Sequence, residues 1–90
     1  MRTNTLVLDQ ARARLAQQAA AYAFGVPVEE INTPTRGRAR AALARQAAIY
    51  LTHVAFELSL NRVADAFGRD RSTAAHACHR IGDARDDPAF

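Results

Sequence analysis

Between Ser59 and Ile81, apolar residues recur at helical spacing in two short runs separated by a glycine. Leu60, Val63, Ala64 and Phe67 stand at i, i+3, i+4 and i+7; Ala74, Ala77, Cys78 and Ile81 repeat that spacing. Each run makes one apolar stripe along a helix. Ser59 is suited to cap the first helix, Gly68 to stop it and Asp70 to cap the second. Two short amphipathic helices on a tight glycine turn predict a helix-turn-helix over about residues 59–82.

Upstream, Leu43, Ala47, Leu51, Ala55 and Leu58 recur at three and four, with Ile49, Tyr50, Val54 and Phe56 widening the stripe. This predicts a long helix from about Ala39 to Glu57, apolar on most sides and therefore central. A first helix is expected from Leu8 or Asp9 to the terminating Gly25, followed by a short helical turn in "VPVEEI" opened by Pro27. "NTPTRGR" reads as a loop, because Asn32, Pro34 and Gly37 all break regular structure. Every run long enough to classify is helical, so the expected class is all-α, with residues 1–90 forming one domain.

Composition adds a constraint on packing. Of 90 residues 21 are alanine, against seven Leu, five Val, three Ile and four Phe. With so little bulk, a core requires close approach of helices through small side chains. All twelve basic residues are arginine. Without lysine the chain has no Walker A phosphate loop, so no nucleotide is expected. A single cysteine allows no internal disulfide. "MRTNTLVLDQARAR" has an apolar run of only three residues, too short for a signal peptide or a membrane span. The expected location is the cytoplasm, with the nucleoid, and no membrane partner.

Charge is unevenly spread. Residues 32–58 hold four arginines and only Glu57; residues 59–81 hold four against Asp65 and Asp70; the tail "GDARDDPAF" is net negative. A basic middle and second half point to a polyanion. The second helix of the motif turns Arg71, Ser72, Ala75, His76, His79 and Arg80 outward or sideways if Ala74, Ala77, Cys78 and Ile81 face in. Arginine in the first turn of such a helix can pair with the guanine edge in the major groove, serine or threonine can reach a base or phosphate, and an alanine methyl can touch thymine. Cys78, on the inward stripe, is expected to act as a small hydrophobe. His76 and His79 lack further ligands for a tetrahedral site, His53 being on another helix. Neither paired carboxylates nor an activated nucleophile stand out. No metal, cofactor or enzymatic activity is expected.

The stretch "ALARQAAIYLTHVAFELSLNRVADAFGRDRSTAAHACHRI" resembles the C-terminal DNA-binding domain (domain IV) of DnaA, the bacterial replication initiator. The resemblance lies in "ARQ" (44–46), "YL" (50–51), "SL" (59–60), "VADAFG" (63–68), "RD" followed by "ST" (69–73) and "HACHRI" (76–81). It implies a fold like that of the Trp repressor and binding to short asymmetric duplex sites called DnaA boxes. By resemblance, the helix around 70–81 lies in the major groove, with Asp70, Arg71, Ser72, Thr73, Ala75 and His76 toward the bases. Arg36, Arg38 and Arg40, in a basic loop at about 34–40, would reach the minor groove or backbone. Arg45, Gln46, Arg69, His79 and Arg80 would hold the backbone. Arginine in a narrow minor groove favours A/T-rich sequence.

The chain departs from the family at Arg71, where a histidine is usual, and at Ala74 and Ala75, where bulky aliphatics are usual. Gly37 takes the place of the loop arginine, flanked by Arg36 and Arg38, and the turn has one glycine rather than two. An altered box preference is expected, since a guanidinium fork satisfies other base edges than imidazole does. At this length the resemblance implies a DNA-binding module without the initiator's ATPase domain, regulating transcription or restraining replication. The expected partner is double-stranded DNA, bound by a monomer, with a homodimer left open. The rival expectation is an interaction module that keeps the fold and acts through another replication or regulatory protein.

Overall fold

The structure is a computed structural model that describes the backbone of residues 2–32 and 39–85. Five helices follow in order: α1 (Arg2–Phe24), α2 (Val28–Asn32), α3 (Ala39–Ala55), α4 (Leu60–Phe67) and α5 (Arg71–Arg85). There is no strand among the described residues, and the all-α class is what the periodicity predicts. α1 starts earlier than Leu8, because its first turns are helical even though residues 5–8 bury nothing.

Three helices end the same way, with one residue in the left-handed region. Gly25 (φ 67°), Glu57 (φ 55°) and Gly68 (φ 66°) occupy that position. In each case the next residue's N–H reaches back five residues: Val26 to Ala21 O (3.0 Å), Leu58 to His53 O (3.2 Å), Arg69 to Ala64 O (2.9 Å). These are Schellman closures, which satisfy carbonyls that the helix itself leaves unpaired. The sequence pattern runs the long helix to Glu57; it stops at Ala55, and Glu57 takes the bend a glycine usually takes. The reversal is further held by His53, whose Nδ1 lies 2.6 Å from Leu58 O, selecting the tautomer that carries its proton on Nδ1.

α3 is the axis of the fold and touches each of the other four helices. α1 packs on α2, α3 and α4; α5 packs on α3 and α4; α1 and α5 do not meet among the described residues. Among the described residues alanine supplies ten of the sixteen buried apolar positions, so the interior is a set of close helix contacts rather than a wide core. One cluster joins α1, α2 and α3 around Val26 and Ile31; a second joins α3, α4 and α5 around Ile49, Leu58 and Val63; Phe67 packs against both.

The buried face of α3 differs from the stripe its large residues suggest. Ala41, Ala44, Ala48, Ile49 and Thr52 face in, whereas Leu51 is 37% exposed, Ala55 is exposed, and Leu43 and Ala47 are half-buried. α3 is flanked on both sides, so close approach selects the alanine face and leaves the bulkier leucine outside.

One polar contact lies across the α1–α4 seam. Asp9, only 2% exposed, accepts two hydrogen bonds from Arg62, Nε to Oδ2 and Nη2 to Oδ1, both 2.9 Å, and a third from Arg12 Nη1 at 3.0 Å. Arg12 also lies over the Phe56 ring, 5.9 Å from its centroid. The Arg62 hydrogen bonds, opposed by burial, hold the Asp9 carboxyl below its ordinary value.

Candidate nucleic-acid interface

The α4–α5 unit follows the sequence expectation closely. Ser59 caps α4, its hydroxyl accepting from the Arg62 N–H at 3.2 Å. Val63 and Ala64 are buried and Leu60 and Phe67 half-buried. Gly68 ends the helix, and Asp70 caps α5: its Oδ1 accepts from the Thr73 N–H at 2.9 Å and from the Ser72 hydroxyl at 3.0 Å. These bonds hold the Asp70 carboxyl below its ordinary value, so it stays ionised at the helix start, where negative charge is favoured.

Ala74, Ala77 and Ile81 are buried and Cys78 half-buried, fixing the roll of α5. Arg71, Ser72, Thr73, His76, His79 and Arg80 are all exposed, and Ala75 is half-buried. The first turn of α5 is therefore uncovered by the described chain, with a cation and two hydroxyls on view, and the His76 imidazole is exposed in the next turn. Asp70 and Ser72 are partly committed to the cap, which leaves Oδ2 of the acid and the lone pairs of the hydroxyl. Burial pushes the Cys78 thiol above its ordinary value, away from the reactive thiolate.

Beside this tip lies a second group of cations. Arg69 sits in the turn, and burial, followed by the charge of Arg69, lowers the pKa of Arg45 on α3. The Arg45 guanidinium is also structural: Nε donates to Ile31 O at 2.7 Å and Nη2 to Glu30 O at 3.5 Å, closing the end of α2. Arg40, counted with the basic loop by sequence, lies on the first turn of α3, and its Nε donates to the last carbonyl of α1, on Phe24. Gln46 is half-buried with Oε1 turned inward and without a hydrogen-bond partner. Arg36 and Arg38 lie outside the described residues.

The sequence missed two roles. Asp9 reads as a helix-start residue and is instead a buried ion-pair acceptor; nothing local announces this, since Arg62 is 53 positions away. Arg45 reads as a phosphate contact, and its bonds to α2 carbonyls depend on a tertiary approach that no spacing encodes.

A family model for the bacterial DnaA protein helix-turn-helix matches residues 14–81. Searches of curated proteins and of solved structures return no match.

Proposed function

Because the chain belongs to the bacterial DnaA helix-turn-helix family, whose C-terminal domain binds double-stranded DNA, we propose that it is a sequence-preferring duplex-DNA-binding protein. It acts at DnaA-box-like sites in the control of transcription or replication initiation. The observation that carries this reading is the uncovered first turn of α5, capped by Asp70, beside the Arg45–Arg69 pair. α5 enters the major groove, where Arg71, Ser72, Thr73, Ala75 and His76 face base edges, with Asp70 at the rim. Arg69, Arg45, Gln46, Arg40, His79 and Arg80 hold phosphates. For Gln46 the amide nitrogen is the end suited to this. Arg36 and Arg38 serve the adjacent minor groove. Arg71, in place of the usual histidine, shifts the preferred base toward guanine.

Selection of bound duplexes from a random pool, followed by fluorescence titration at about 50 mM salt, tests the proposal. The expected result is an enriched asymmetric site related to a DnaA box. No binding at that salt, or binding without enrichment, would overturn it.

A further inference from the structure

α1 carries a second apolar face, away from the one it buries. Asp9, Ala13, Ala16 and Ala20 point into the protein. Leu8 (50% exposed), Leu15 (60%) and Tyr22 (92%) point to solvent, as do Ala11 and Ala19. At 100° per residue these five fall within an arc of about 80°. Single exposed leucines are ordinary, but an aligned stripe about 21 Å long is not.

The order of the five is symmetric. Positions 8, 11, 15, 19 and 22 step by three, four, four and three, so the stripe reads the same in both directions about Leu15. We infer that this face binds a second copy of the chain, α1 against α1 in antiparallel orientation, with a two-fold axis at Leu15. In that register Leu15 meets Leu15, Leu8 meets the second copy's Tyr22, and Ala11 meets the second copy's Ala19. Large residues fill the ends and centre, and paired alanines let the axes approach to about 8 Å. Self-complementarity of one patch is what a two-fold interface requires.

Charge selects the direction. A parallel pair would set Arg12 beside Arg12 along the edge of the seam. The antiparallel pair sets Arg12 opposite Gln18, three residues either side of Leu15, so an amide replaces a like charge. Area sets the strength. The exposed parts of Leu8, Leu15, Tyr22 and the two alanines fall short of the ~800 Å² per partner of a standard interface, which gives a weak dimer. α1 and α5 do not touch among the described residues, so the pairing leaves both copies of α5 uncovered.

Sedimentation equilibrium of the full chain from about 10 μM to about 1 mM tests this. The weight-average mass is expected to climb from 9.8 kDa toward twice that value. Leu15→Glu and Leu15→Lys should each stay at the monomer mass and reassociate when mixed in equal amounts, because position 15 faces itself. Leu8→Glu alone should be monomeric, whereas Leu8→Glu with Tyr22→Lys on the same chain should dimerise, which only the antiparallel register allows. All these positions are exposed, and an unchanged circular dichroism spectrum verifies the fold of each variant. A wild-type chain that stays monomeric throughout, a dimer indifferent to Leu15→Glu, or a double variant that remains monomeric overturns the inference.

Discussion

Asp9 holds α4 against α1 through a carboxylate that water barely reaches, so its partners must satisfy it fully. Asp9→Asn keeps the shape and removes the charge; urea unfolding should show a loss of about 1–3 kcal/mol. The pH dependence follows from direction alone. The folded carboxyl sits below its unfolded value, so its contribution is complete above the unfolded pKa and disappears as pH falls through the folded one. The stability gap between wild type and Asp9→Asn should therefore be constant from about pH 7 to about pH 5 and shrink below about pH 4. Two left-handed residues give opposite expectations. Glu57→Gly relieves a side chain from φ 55° and should raise stability by about 0.5–1 kcal/mol. At Gly68 an added Cβ would meet nothing within 4 Å, so Gly68→Ala should cost only the backbone strain, about 1 kcal/mol, in the same assay.

At the scale of elements, the base readout proposed for α5 and the phosphate contacts proposed for Arg45 and Arg69 give different expectations. Arg71→Ala should cost about 1–3 kcal/mol on the best site and relax one base position, which binding to a panel of single-base variants will measure. Arg45→Lys retains charge but loses the fork that grips Ile31 and Glu30. It should weaken all duplexes alike and lower the melting temperature as well, whereas Arg71→Ala leaves melting unchanged. α4 and α5 were legible in the sequence because everything that defines them is local: Ser59, Gly68 and Asp70 at fixed offsets, and stripes of larger apolar residues on α4. α3 was legible as a helix but not in its orientation. When alanines can be brought to contact, bulk no longer marks the inside, and Leu51 and Ala55 end up exposed. The start of α1 was not legible, since its first described side chains, from Thr5 to Leu8, bury nothing. Of the candidate site, the outward set on α5 could be read from spacing, whereas the attachment of Arg45 and Arg40 to helix ends could not.

Across the whole molecule, 42 × 26 × 20 Å, the described arginines proposed to hold phosphates lie on α3, on α5 and in the turn before α5. With about six to eight phosphates engaged, log affinity against log salt should fall with a slope of about −5 to −7, readable by titration at several salt concentrations. A slope near −2 would remove the phosphate-holding roles given to Arg40, Arg45, Arg69 and Arg80. The bond between Asp9 and Arg62 spans 53 positions, and this orders events during synthesis. As the polypeptide leaves the ribosome, the first helix is extruded well before its guanidinium partner has been translated, and the carboxylate stays hydrated until then. Final docking thus waits for the second half of the chain, and a fragment halted before Arg62 would lack the latch between α1 and α4.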